Sequence, residues 1–575
     1  MVAARKAFRW VALGLITLAA AFVIAFPETA GLALQLPLLA LYSVARMFAA
    51  YVLSLVFAIA YGTTMATNRK AAVVLLPLLD ILQSVPILGF FPAALIFFVT
   101  TFQGQPVGLE IAVVFLIFTS MSWNMAFGVY ESVSTIPQDL VDAAKGFGVR
   151  DWLKFRRLVF PATVPKLVYN SMLSWSNGWF FLVASEIFTA FGSTYVRPGL
   201  GAFIADRGSA GDIAGIFLGL AVLAAVVVAL DAVLWRPLSV WSERFRIETT
   251  GTGQPVPRVP LPYIRLTWLP RFVRPRRWVG TRLRPLATGY ARLTVRMDRA
   301  ASAHRRVIRT VRWVDLALFA VIFALVVVTG IVGLIGLLLR PHSPGVSEIP
   351  AATVRSLARL ALAYGAALAW TIPAAVVLGR SPRASRLLTP VIEVSASLPA
   401  TALLPLIIGF AIFLTPSSGT EAEVAAFLVA LFAMQWYLLF NLIAGVRAIP
   451  GDLDEAARSF GLKGLAFWKR LIFPAIAPSL ITGSITAWGA GWNALIVSEY
   501  IQFGRCGPSP CLYWTEGLGY LMDRATFGVP QLGLLPDGEL LLLSILTMVL
   551  VVLAMNKLLW RPLFRRASAR YRLEV

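Results

Sequence analysis

Asp142-Ala143-Ala144-Lys145-Gly146-Phe147-Gly148, followed by Arg156-Arg157-Leu158-Val159-Phe160-Pro161, is a polar stretch set in an otherwise apolar chain, and it occurs twice. The second copy reads Glu455-Ala456-Ala457-Arg458-Ser459-Phe460-Gly461, then Lys469-Arg470-Leu471-Ile472-Phe473-Pro474, with the same spacing from acid to final proline. Pro137 or Pro450 at the start, acids in the first turn and a glycine at the break predict a short polar helix, with a second basic and apolar helix after it. Alanine pairs let another surface approach the backbone closely, so the segment suits a groove on a partner protein. A single copy would read as a re-entry loop held by its own helices. Two copies favour docking, because loops ordinarily diverge faster than the elements they join.

Working outward, the same offset of 313 residues aligns much of the chain. Pro77, Asp80, Pro86 and Pro92 fall on Pro390, Glu393, Pro399 and Pro405, and Ser185-Glu186 falls on Ser498-Glu499. Leu234-Trp235-Arg236-Pro237-Leu238 matches Leu559-Trp560-Arg561-Pro562-Leu563 at offset 325, so the second half carries about twelve extra residues after Glu499. Residues 1–240 form the first repeat, 241–312 a linker and 313–575 the second repeat. The linker is rich in Pro, Trp and Arg and has no Lys. It reads either as an interfacial segment on the cytoplasmic leaflet or as a solvated tether.

The composition of the 575 residues decides what the repeats are. Hydrophobic residues make up 58%, charged residues 14%, and the mean hydropathy is +0.78, which excludes an ordinary soluble enzyme and a disordered chain. Two cysteines exclude a disulfide scaffold. A net charge of +23 without a long polar domain fits membrane topology better than nucleic-acid binding. Apolar runs of about 20 residues, the length that crosses a bilayer, number about twelve. They include Trp10 to Phe26, kept as a retained helix, Leu75 to Val99, Val314 to Leu339, Leu387 to Leu414 and Ala475 to Ile501. Asn68-Arg69-Lys70 and Arg380, Arg383 and Arg386 mark cytoplasmic loops, whereas Thr100 to Pro106 and Thr415 to Glu423 carry no Lys or Arg, which predicts both termini in the cytoplasm. Six spans per half give two parallel repeats about an axis along the membrane normal. The fold class is an all-α polytopic membrane protein.

With Asp142-Ala143-Ala144 and Glu455-Ala456-Ala457 ending in Phe-Pro, and with Gly199-Leu200-Gly201 and Gly517-Leu518-Gly519, the chain resembles the permease subunits of ATP-binding-cassette importers. The wider pattern resembles their nitrate, sulfonate and taurine branch. The resemblance implies a pseudo-dimeric pore from two fused permeases, working with two cytoplasmic ATPase subunits that carry ATP and Mg and with an external or periplasmic solute-binding protein. It implies the inner membrane of a prokaryote, and a small solute such as nitrate, a sulfonate, taurine or a related organic anion. The coupling residues would be Asp142, Ala143, Ala144, Gly148, Pro161, Glu455, Ala456, Ala457, Gly461 and Pro474. Asp142 stands where the family has Glu, and Ser459 where it has the first glycine. No phosphate-binding Gly-Lys-Ser/Thr loop occurs, so the ATPase would be a separate chain, and no cofactor is expected on this one.

The remaining candidates come from charge and backbone. Glu186 and Glu499 lie near the outer end of the fifth span, as pathway or gate groups or as interfacial caps. Arg46 and Arg359, each within Ser-x-x-Arg, either draw in an anion or snorkel to the interface. Pro86, Pro92, Pro399 and Pro405 interrupt a helix at membrane depth, which points to protein or a wet cavity beside it and makes them candidates for the pathway lining. Cys506 and Cys511 fall in the extra external segment, where a disulfide is expected; no metal site is. The competing function is a twelve-helix transporter driven by an ion gradient, which needs no paired docking loops.

Overall fold

The computed structural model describes residues 30–245 and 342–571, apart from 85, 150, 192–196, 417–418, 507–508 and 529–534, together with 332, 333 and 336. The first span of each repeat and the linker beyond residue 245 lie almost wholly outside the described residues.

Each repeat runs through the same helices in the same order. The first has α1 (Leu36–Thr67), α2 (Arg69–Ser84), α3 (Ile87–Thr101), α4 (Pro106–Ser134), α5 (Gln138–Gly146), α6 (Phe160–Phe191), α7 (Leu200–Ala210) and α8 (Ile213–Leu230). The second has α9 (Ile349–Arg380), α10 (Pro382–Ser397), α11 (Leu404–Leu414), α12 (Glu421–Arg447), α13 (Gly451–Ser459) and α14 (Phe473–Ser498). A hairpin of β1 (Tyr500–Cys506) and β2 (Ser509–Trp514) follows, then α15 (Leu518–Phe527), α16 (Gly538–Met555) and α17 (Arg561–Tyr571). Seven helices among the described residues are long and apolar enough to cross a membrane, with α3 and α11 as shorter apolar pieces.

Proline shapes these elements. Leu75 to Val99 and Leu387 to Leu414, each read from sequence as one span, are each two helices. Pro86 caps α3 in an extended conformation, and residues 398–403 separate α10 from α11. A proline lacks the amide hydrogen and pushes the preceding residue out of the helical region, so the chain turns there. Elsewhere the same chemistry is absorbed without a break. Phe155–Val159, Asp231–Trp235, Trp468–Ile472 and Asn556–Trp560 are π turns, and each lies two residues before a proline, Pro161, Pro237, Pro474 or Pro562. The wider turn accommodates the carbonyl that the proline ring would strike.

The second correction is the hairpin. The run expected as helix to Ile501 ends at Ser498, and Tyr500-Ile501-Gln502-Phe503 turns into a strand, as β-branched and aromatic residues favour. Tyr500 pairs with Trp514 and Cys506 with Ser509, with a bulge between Gln502 and Arg505 where Gly504 adopts φ +68°. Cys511 is disulfide-bonded, and Cys506 is the only other cysteine in the chain.

Helices α1, α4 and α6 pack around one apolar core and α9, α12 and α14 around another. Gly62 lets α1 touch α4, for a Cβ there would lie 2.7 Å from the Ala126 carbonyl and from Val129.

Candidate functional site: paired ion clusters, a seam and two protruding helices

At one end of the bundle a buried ion cluster occurs twice. Arg46 of α1 donates through Nε and Nη2 to the two carboxylate oxygens of Glu110, both at 2.8 Å, a bidentate fork, and through Nη1 to Glu186 at 2.6 Å. Ser43 Oγ donates to Glu186 at 2.9 Å and accepts from the Leu200 amide, and the Gly201 amide donates to Glu186 at 2.8 Å. The start of α7 thus presents its unpaired amides to a carboxylate, a favourable pairing of helix end and anion. Glycine is required there, since a Cβ on Gly199 would sit 2.2 Å from Glu186 Oε1.

Arg359, Ser356, Glu423 and Glu499 repeat the arrangement on the second repeat, with the Leu518 amide donating to Ser356 at 2.9 Å and the Gly519 amide donating to Glu499 at 2.6 Å. Thr515 adds its hydroxyl to Glu423. Arg46 and Arg359 are 5% and 3% exposed, and Glu186 and Glu499 are fully buried, so neither arginine snorkels and neither stands free of a carboxylate. Each cluster ties three long helices to a short one. The sequence reading named the arginines and Glu186/Glu499 separately and missed Ser43, Glu110, Ser356 and Glu423, although these also stand 313 residues apart.

The two repeats meet along a seam marked by reciprocal contacts. The Leu88 amide, left free at the start of α3 by the break at Pro86, donates to Asn493 Oδ1 of α14 at 3.0 Å. At the equivalent positions Thr401 Oγ1 donates to the Phe180 carbonyl of α6 at 3.2 Å. Tyr437 donates to Asn177 Oδ1 at 3.3 Å, again between repeats. Pro86, Pro92, Pro399 and Pro405 are all buried, and a Cβ on Gly208 of α7 would lie 2.9 Å from the Pro405 ring.

Helices α6 and α14 each carry an exposed row in line with a residue of the seam. Tyr169, Leu173 and Ser176 are exposed at helical spacing from Phe180, and Thr482, Thr486 and Gly489 are exposed at the matching spacing from Asn493. Each row thus lies on the same helical face as a residue that reaches the opposite repeat. No sequence signal had pointed to these rows beyond the repeat offset itself.

At the opposite end from the ion clusters, α5 and α13 stand out. From Glu110 to the end of α4 at Ser134 the helix rises about 36 Å. Pro137 caps α5, no residue of α5 is buried, and Lys145 pairs with Asp142 at 2.8 Å, which holds the Asp142 carboxyl below its ordinary range. Gly148 and Gly461 take φ +70° and +69°. Val149 and Leu462 donate back to Ala144 and Ala457 at 2.8 and 2.9 Å, the six-residue closure that ends a helix on a left-handed glycine. This fold-back leaves Phe147 86% and Phe460 84% exposed at equivalent positions. Ala143 is exposed, Ala144 and Ala456 are half-buried and Ala457 is buried; Asp142 and Glu455 are exposed, and Pro161 and Pro474 follow the π turns behind the helices.

A duplicated membrane bundle with paired short helices projecting from one end defines a multi-pass permease-like protein. Residues 50–234 and 367–559 each match the family described as the binding-protein-dependent transport system inner membrane component, and the chain belongs to that family. It is similar to the taurine transport system permease protein TauC of Escherichia coli (strain K12), 30% identical over 171 residues, which cover 30% of this chain and 55% of that protein. The nitrate import permease protein NrtB of Leptolyngbya laminosa is 30% identical over 149 residues, 26% of this chain and 50% of that protein. The bicarbonate transport system permease protein CmpB of Synechococcus elongatus (strain ATCC 33912 / PCC 7942 / FACHB-805) is 27% identical over 188 residues, 32% of this chain and 64% of that protein. Each alignment spans half to two thirds of the relative.

Proposed function

We propose that this chain is the membrane-spanning part of an ATP-driven importer, with both permease halves in one polypeptide. The observation that carries the reading is the pair of protruding helices α5 and α13 at one end of the bundle, each closed by a left-handed glycine and each presenting an exposed phenylalanine. An apolar ring on a polar helix outside the membrane is covered in the working assembly. Two ATPase subunits that bind ATP and Mg would each receive one helix in a groove, and their closure on nucleotide would move α5 and α13 together with the spans behind them. Asp142, Glu455 and the basic residues after them supply polar contacts around the phenylalanine.

The α5 and α13 end is then cytoplasmic, in keeping with Arg69, Lys70, Arg380, Arg383 and Arg386 around the α1–α2 and α9–α10 junctions, and both termini face the same side in the inner membrane of a prokaryote. The ion-cluster end faces outward and receives a solute-binding protein. The exposed rows of α6 and α14 line the route. The solute is a small anion or zwitterion, in line with the taurine, nitrate and bicarbonate named for the relatives.

Reconstitution tests the reading. Vesicles holding the full chain and the ATPase that co-purifies with it should accumulate solute delivered by the binding protein only when ATP is supplied. Uptake by this chain alone, driven by an ion gradient, would reject it.

A further inference from the structure

The β1–β2 hairpin belongs to the second repeat, yet it rests on the first. Strand β1 packs against α7, and a Cβ on Gly211, which ends α7, would lie 3.8 Å from the Gly504 Cα. Phe503 packs against the hydrophobic cores of both repeats and reaches Gly409 of α11, where an added Cβ would be 3.1 Å from its ring. The segment that forms the hairpin is longer than its counterpart in the first repeat: Gly199 follows Glu186 by thirteen residues, whereas Gly517 follows Glu499 by eighteen. Its root is fixed, because Thr515 donates its amide to the Glu499 carbonyl at 3.0 Å and its hydroxyl to Glu423, inside the second ion cluster. Its far part carries the disulfide at Cys511.

We infer that this hairpin is a one-sided outer gate and that Phe503 is its closing wedge. An element anchored in one repeat and seated on the other must leave its seat whenever the seam parts at that end. The fixed root confines that movement to a hinge, and the cross-link keeps the two strands moving as one piece. Solute entry therefore opens past one repeat's edge, between α7 and the hairpin, and not symmetrically between the repeats. The inference rests on reading the ion-cluster end as external, and labelling from both faces separates failure of that reading from failure of the gate.

The test uses the full chain in sealed vesicles of each orientation, with the disulfide at Cys511 left oxidised and Ser176→Cys as the only free thiol, on the exposed row of α6. A membrane-impermeant maleimide should label Cys at 176 readily from the α5 and α13 side and slowly from the hairpin side. Phe503→Ala should raise hairpin-side labelling about tenfold, the scale expected when an apolar wedge is removed from the closed state of a two-state gate, and should leave labelling from the other side unchanged. Phe503→Leu, which keeps most of the apolar bulk, should raise it far less. Equal hairpin-side rates in the parent and both variants would overturn the inference. As an independent measurement, Gly211→Cys paired with Gly504→Cys in a Cys506→Ser/Cys511→Ser background, without the probe at 176, should stop transport on oxidation and regain it on reduction. Full transport by the cross-linked protein would also overturn it.

Discussion

Arg46→Ala should be among the most damaging single changes in the first repeat. The substitution removes the fork to Glu110 and the 2.6 Å bond to Glu186, and it strands Glu186, whose side chain is fully buried, without its cation. Breaking a buried pair from one side costs about 3–5 kcal/mol, and Glu186 retains the Ser43 hydroxyl and the Gly201 amide, which places the loss near the lower bound, about 3 kcal/mol. Removing both charges should be gentler, because the carboxylate then left without Arg46 is that of Glu110, which is partly exposed and has Arg197 at 3.9 Å, and no fully buried ion is stranded. Arg46→Met combined with Glu186→Gln is expected to fall short of the sum of the two single losses by about 2 kcal/mol. Lys145→Ala breaks an ion pair whose side chains are each 57% exposed, and it should leave stability unchanged. The assay is unfolding of the purified full chain in mixed detergent micelles, followed by tryptophan fluorescence. A loss below about 1 kcal/mol for Arg46→Ala, or strict additivity in the cycle, would refute the claim that the cluster clamps the helices together.

Further outcomes are expected elsewhere. Gly199→Ala puts a methyl against the Glu186 carboxylate and should reproduce much of the Arg46→Ala loss in the same titration; a change within about 0.5 kcal/mol would count against the close approach. Asp537 caps α16 by accepting from the Glu539 and Leu540 amides at 3.0 Å each; burial works against its charge, but those amides prevail and hold its carboxyl below the ordinary range. A depressed folded-state value means that its contribution is present above the unfolded carboxylate range and is lost as pH falls through the folded value. The difference between wild type and Asp537→Ala, about 1 kcal/mol at pH 7, should therefore persist down to about pH 4, shrink below it, and vanish only once pH has passed the depressed folded-state value. Gly148→Val and Gly461→Val force a branched side chain into a left-handed conformation, at about 1–2 kcal/mol each, and should weaken ATPase co-purification while leaving the spans folded; unchanged recovery of the partner would contradict the docking role.

Much of this architecture is legible in the sequence because the chain states it twice. The 313-residue offset aligns the two polar segments and the span order, and the proline positions foretell the breaks at Pro86 and near Pro399. The ion clusters were half legible. Charged residues in apolar helices advertise themselves, but that Arg46 meets Glu110 and Glu186 depends on how α1, α4 and α6 pack, which a linear spacing does not contain. The hairpin was not legible, for the periodicity that marks a span runs into Tyr500-Ile501 without a break, and the turn to a strand is decided by contacts with α7 and α11. The rows on α6 and α14 are mixed in polarity, Tyr169, Leu173 and Ser176 against Thr482, Thr486 and Gly489, so composition gave no sign of a shared face. Phe147 and Phe460 look like core residues until the left-handed glycine beside each turns them outward.

The central claim, that an external ATPase grips α5 and α13, is tested most directly by cross-linking from their tips. Phe147→Cys and Phe460→Cys, each carried separately on the full chain with Cys506 and Cys511 replaced by serine, would be treated with a short thiol-reactive photo-cross-linker in native membranes. The account predicts that each position captures an ATP-binding subunit, with yield changing when nucleotide is added. Capture from neither position, or reaction of both thiols only with reagent applied to the outer face, would contradict it.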